Sequence, residues 1–139
     1  MACPSSSDTP LMKTVTAAIV IKEQRVFLAR RAQNQKLAGF WEFPGGKVEQ
    51  QETLQECLER ELREELGVRS IAGATLCESI YHYAHGSIRL VGIETAFLST
   101  DFAPTVHDLI DWIPLQELTN MHLAPADVPI AEFLVERYA

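Results

Sequence analysis

The chain has 139 residues, 47% of them hydrophobic and 22% charged, and a formal net charge of −7. That length suits one domain with a real core, and the composition is ordinary for a globular protein. The negative charge speaks against a nucleic-acid polymer as partner, because polymer binding wants a basic face, and no apolar run reaches the length of a transmembrane helix.

Residues 1–11 are rich in Ser and Pro and lack the basic and apolar regions of a signal peptide, so they read as a disordered tail ahead of a domain at 12–139. Thr14 to Ile21 is β-rich, Glu23-Gln24 turns the chain, and Arg25 to Arg31 reads as a second strand. A polar loop runs from Ala32 to Gly39. Trp41 to Phe43 is a short extended piece stopped by Pro44-Gly45-Gly46. A helix follows from about Thr53 to Leu66. Val68 to His82 and Ile88 to Leu98 read as two strands turning near His85-Gly86. After a loop from Ser99 to His107 comes a last short strand, Leu109 to Pro114. A helical turn covers Pro114 to Leu118, and an amphipathic helix covers Val128 to Tyr138, with Ile130, Phe133, Leu134 and Tyr138 inward. Strands grouped around two well-separated helices imply an α/β fold, a mixed β-sheet sandwiched between α-helices. Cys3, Cys57 and Cys77 are odd in number and lack metal spacing, which suits a reducing cytoplasm. Cys57 falls beside the apolar stripe of its helix and is expected in the core. His82, His85, His107 and His122 show no ligand spacing and read as loop or surface residues.

The chemistry is concentrated between Gly46 and Val68. On a helical wheel with Leu54 at zero, Leu58 and Leu62 follow at about 40° and 80°. Glu61 falls near −20°, Glu65 near 20° and Glu64 near −80° on the same wheel. Two carboxylates therefore lie in the stripe that faces the protein. Burying ionised carboxylates unpaired costs several kcal/mol or more, and a hard dication such as Mg²⁺ or Mn²⁺ is the simplest compensation. Glu56, Glu59 and Arg63 point elsewhere and read as solvated surface. Thr53 and Glu56 make a capping-box pattern, and Gly67 a C-cap.

The same segment follows the pattern Gly-x5-Glu-x7-Arg-Glu-aliphatic-x-Glu-Glu-x-Gly-aliphatic from Gly46 to Val68 without a gap. The chain thus resembles the Nudix hydrolases. Phe40-Trp-Glu-Phe-Pro-Gly-Gly46 and Leu123-Ala-Pro-Ala-Asp127 are similar to the MutT branch, small nucleoside-triphosphate pyrophosphohydrolases. The resemblance implies the Nudix α/β/α sandwich. It also implies a metal held by the Gly45 carbonyl with Glu61, Glu64 and Glu65. Glu61 is the expected base toward water, oriented by Arg60 with Glu52, a pair that otherwise ties loop to helix. Related enzymes often bring a further glutamate from the loop before the last strand; that position is Val106 here, with His107 and Asp108 as the nearest polar candidates.

For the nucleotide, Arg31 matches a MutT arginine facing the substrate, or is an edge-strand charge. Thr14, Thr16 and Ala18 alternate on one face of the first strand, which would lie against base or sugar. Phe43 and Tyr83 would flank the base, or are core aromatics. Asp127 sits where the MutT branch reads the base edge, and Asp-Val-Pro is also an N-cap pattern. As an acceptor-only carboxylate it suits the N1–H and 2-amino donors of an oxidised guanine, whereas Leu-Ala-Pro-Ala-Asp is similar to CTP pyrophosphohydrolases of the NudG type. The expected activity is Mg²⁺-dependent cleavage of a nucleoside triphosphate to monophosphate and pyrophosphate, with 8-oxo-dGTP first and cytidine nucleotides second. ADP-ribose-type members usually carry prolines soon after the box, and none occurs between Pro44 and Pro104. The partners expected are a small-molecule nucleotide, no membrane, and at most a second copy of the chain. A catalytically silent nucleotide sensor would have lost box carboxylates, and a ligand-free structural domain would leave them without neutralisation.

Overall fold

The computed structural model describes residues 12–84 and 86–139; the tail expected at 1–11 and the turn residue His85 lie outside the described residues. In chain order come strands β1 (Met12–Ile19), β2 (Ile21–Lys22), β3 (Arg25–Arg31) and β4 (Trp41–Glu42), helix α1 (Leu54–Leu66), strands β5 (Ser70–Tyr83), β6 (Gly86–Phe97) and β7 (His107–Pro114), and helix α2 (Val128–Tyr138). Short 3₁₀ turns occupy Leu115–Asn120 and Pro125–Asp127.

The strands form two sheets. One is mixed: β1 runs parallel to β6, and β5 antiparallel to it. The other is antiparallel and centred on β3, with β2 and β4 sharing one edge and β7 along the other. Glu23 and Gln24 both take left-handed φ, 52° and 64°, as a tight hairpin between β2 and β3 requires.

Alternation along the strands makes the layers. Ala17 and Ile19 of β1, with Val26 and Leu28 of β3, pack toward α2 through Ile130, Ala131 and Leu134. Ala18 and Val20, with Phe27, pack toward α1 through Leu58, Leu62 and Leu66. Each of those leucines is fully buried, worth about 1.5–3 kcal/mol apiece. Phe27 anchors an aromatic cluster, with ring centroids of Phe97, Phe102 and Trp112 at 4.9, 5.0 and 5.3 Å. Val68, expected to open β5, is buried in the α1-side core instead, and pairing starts at Ser70. Phe133 and Tyr138 of α2 pack only partly buried against the core.

Candidate active site

The segment that starts α1 is locally determined. Thr53 Oγ1 accepts from the Glu56 amide at 3.0 Å, while the Glu56 carboxylate accepts from the Thr53 amide at 2.9 Å, a complete capping box. Gly67 ends the helix with φ 66°. Glu59 is not the free surface residue expected: its carboxylate accepts from the Ala72 amide at 2.8 Å and ties α1 to β5.

Ahead of the helix, the Pro44–Val48 loop is laced onto β1. Ala18 N–H donates to the Pro44 carbonyl and Thr16 N–H to the Gly46 carbonyl, at 2.7 and 2.8 Å. No hydrogen bond engages the carbonyl between them, that of Gly45, among the described residues. Both glycines are required by close approach. A Cβ on Gly45 would lie 2.0 Å from the Thr16 carbonyl oxygen, and one on Gly46 would lie 2.2 Å from Glu61 Cδ. The loop thus sets Gly46, next in the chain to the open Gly45 carbonyl, against the Glu61 carboxylate.

Glu61 and Glu65 are half-buried on the inner side of α1, as their positions on the wheel require, while the Glu64 side chain is 60% exposed. Burial pushes the Glu61 carboxyl up, against the opposing pull of Arg60. It pushes Glu65 up to about 8, with the charges of Glu61 and Glu42 adding to the effect. Arg60 grips Glu52 through two nitrogens, at 2.6 and 3.0 Å, and reaches Glu61 and Glu64 at 3.1 Å each. That grip, with the Glu49 amide second, holds the Glu52 carboxyl down at about 2, and Glu52 in turn raises the Arg60 guanidinium.

Among the described residues no three acidic, His or Cys side chains converge into a complete cation cage, and Arg60 is paired with both Glu61 and Glu64. Glu65 Oε1, however, is buried without any hydrogen-bond donor. Beside it stand a second half-buried carboxylate and an open carbonyl. This all-oxygen donor set fits a hard dication.

A cavity of about 210 Å³ is lined by Glu65, Glu42, Phe43, Tyr83 and Asp127, with Val15, Thr16, Arg31 and Leu37 also on its walls. A larger hollow of about 500 Å³, lined by Ile19, Ile21, Leu76 and Tyr138 among others, contains no residue of the α1 carboxylate cluster. Its size does not make it the site, since the charged groups that would need a ligand are all elsewhere.

The cavity gathers most of the residues expected around the nucleotide, with differences in what they do. Thr16 reaches it, but its hydroxyl bonds the Gly46 carbonyl at 3.1 Å and lies 3.6 Å from buried Cys57, so it braces the loop. Ala18, expected on the same pocket face, is instead fully buried against α1. Arg31 is a half-buried hub, donating to the Lys36 carbonyl at 2.6 Å and to Glu42 at 3.0 Å. Tyr83 lies edge-on to Tyr81, centroids 4.7 Å apart.

Asp127 does not cap α2: it makes no side-chain bond to that helix. Its Oδ2 accepts from the Phe43 amide at 2.9 Å, it is 6% exposed, and it faces the cavity. Burial, with the Glu42 charge next, lifts its carboxyl well above the ordinary range. The side-chain cap does not form because the Pro125–Asp127 turn leads directly into α2, and the carboxylate instead accepts from the Phe43 amide.

One residue escaped the sequence reading: Glu42 was passed over within Trp-Glu-Phe, although a charge in a short apolar strand was a signal. His107, read as a loop or surface histidine and as one of two polar candidates near Val106, is buried, and its Nε2 lies 2.8 Å from Glu42 Oε2. Asp108 is paired with Arg30 at 2.8 Å on the surface, away from the cavity.

The NUDIX domain model matches residues 11–135. A CTP pyrophosphohydrolase of Escherichia coli K12 is 37% identical over 125 residues, covering 87% of this chain and 90% of that protein. A putative 8-oxo-dGTP diphosphatase 2 of Mycobacterium tuberculosis is 31% identical over 119 residues, 84% of each. The solution structure of the E. coli ORF135 protein superposes with a TM-score of 0.84 at 33% identity, covering 98% of this chain and 96% of that one. With an unbroken box, its Glu65 on the wall of a cleft and a matching fold, the chain belongs to the NUDIX domain family.

Proposed function

We propose that the chain hydrolyses nucleoside triphosphates, taking up water to break the α–β anhydride and release the monophosphate and pyrophosphate. Nudix hydrolases generally need a divalent metal, and Mg²⁺ or Mn²⁺ suits the oxygen donors here. The observation that carries the reading is the buried, donor-free Glu65 oxygen beside Glu61, on the wall of a cavity that Asp127 also lines. A dication at Gly45, Glu61, Glu64 and Glu65 would neutralise the polyphosphate charge. Glu64 would join it on leaving Arg60. Glu61 takes a proton from water, and Arg60, locked by Glu52, keeps Glu61 aimed. Complete box carboxylates speak against a silent sensor module.

Toward the base, Phe43, Tyr83 and Asp127 form the far end, and Arg31 holds the wall in shape. An oxidised guanine nucleotide such as 8-oxo-dGTP is the first substrate, as two relatives' names support. Cytidine triphosphate is the second reading, and the burial of Asp127 favours it. Burial shifts Asp127 toward its protonated form, which would offer one donor and one acceptor, matching cytosine N3 and its 4-amino group; the E. coli relative's name points the same way. The reading includes a monomer or homodimer in a reducing, cytoplasmic setting. No helix among the described residues is long and apolar enough to cross a membrane. Pyrophosphate release from a panel of triphosphates, with Mg²⁺ and with chelator, tests it: metal-dependent turnover is expected, and none with any triphosphate sinks the reading.

A further inference from the structure

We propose that His107 is a positioning residue for nucleotide binding and acts through Glu42. The proposal rests on the nucleotide reading of the cavity. Glu42 lines the cavity with Glu65 and Asp127, its charge acts on both, and it stands on a long side chain with several rotatable bonds. Two donors pin its Oε2: Arg31 at 3.0 Å and His107 Nε2 at 2.8 Å. Both bonds fall on one oxygen, so Oε1 is left as the acceptor for an amino or hydroxyl donor of the nucleotide.

The backbone is shaped to make this contact. Along β3 and β7, Arg30 pairs with Leu109, but Arg31 pairs with His107, skipping Asp108. That irregularity re-aims side chains as β-bulges do. Asp108 goes outward to Arg30, and His107 goes inward, its side chain fully buried. Because Oε2 of a carboxylate accepts, Nε2 carries a proton whatever the charge on the ring.

Stability alone does not account for this histidine. Its Nδ1 is buried without a partner among the described residues, which is unfavourable. An apolar side chain would fill the space without that defect. What it would lack is the donor to Glu42.

The test compares His107→Gln, whose amide nitrogen falls near Nε2, with His107→Asn, whose nitrogen falls near Nδ1, and with His107→Leu. Glu42→Gln and the His107→Leu/Glu42→Gln double variant complete the set. Steady-state kinetics on the best triphosphate and Kd for a non-hydrolysable analogue are measured, with thermal unfolding to show that each variant is folded. Asn and Leu are expected to raise KM and the analogue Kd about ten-fold with kcat within about two-fold, the pattern of lost uniform binding. Gln is expected to stay within about three-fold of wild type. The double variant should be no weaker than Glu42→Gln, since His107 has no route but Glu42. If Leu does not fold, the Gln–Asn contrast decides. The proposal is overturned if Gln is as impaired as Asn, if the two losses add in full, or if Glu42→Gln binds normally. A wild-type protein that binds no analogue and cleaves no triphosphate overturns the nucleotide reading itself, a distinct result.

Discussion

Glu65→Gln, studied without metal, isolates the cost of the acidic cluster. Glu65 is displaced from the ordinary glutamate value of 4.5 to about 8 in the folded chain. Its folded-state value is raised, so its favourable contribution is complete below pH 4.5 and is lost as pH rises through about 8. At about 1.4 kcal/mol per pH unit, that gap sets a ceiling of roughly 5 kcal/mol. Glu61 and Glu65 share one environment, and local rearrangement relieves part of the strain, so about 2–3 kcal/mol is expected. In chelator, the wild type should therefore be less stable at pH 8.5 than at pH 5. Glu65→Gln should flatten that slope and unfold about 5–10 °C higher at the alkaline end. Saturating Mg²⁺ should flatten the wild-type slope as well, because the cation takes over the neutralisation. Urea unfolding for the slope and thermal unfolding for the temperature shift, across this pH range with and without metal, measure it. Equal slopes for wild type and Glu65→Gln in chelator would refute the claim that burial of this carboxylate creates the demand for a cation.

The glycine loop and the base end are open to similar tests. In Gly46→Ala the new methyl would collide with the Glu61 side chain, so kcat should fall at least about 100-fold while circular dichroism stays native. Gly45→Ala meets backbone instead and should lower stability by about 2–4 kcal/mol in urea. Asp127→Asn keeps an acceptor for the Phe43 amide and should cost under about 1 kcal/mol, whereas Asp127→Ala leaves that amide unpaired and should cost about 1–3 kcal/mol. The Asn variant should also change the ranking of oxidised guanine against cytidine substrates; an unchanged ranking in the triphosphate panel would show that Asp127 only fastens Phe43.

The sequence by itself was enough for the features that depend on near neighbours. The α1 boundaries, its capping box and its glycine stop come from residues three or four positions apart, and the strand Arg25–Arg31 was legible from composition. The inward turn of Glu61 and Glu65 followed from helical period alone, and so did the cation expectation. Tertiary structure decided the rest. Asp127 meets Phe43 across 84 positions and His107 meets Glu42 across 65. Local periodicity carries no information about such pairs: their meeting depends on which strands become neighbours and on one register irregularity in β7. The cap alternative for Asp127 and the loop reading of His107 came from local patterns, whereas the packed cavity offered each a buried partner that no local window contains.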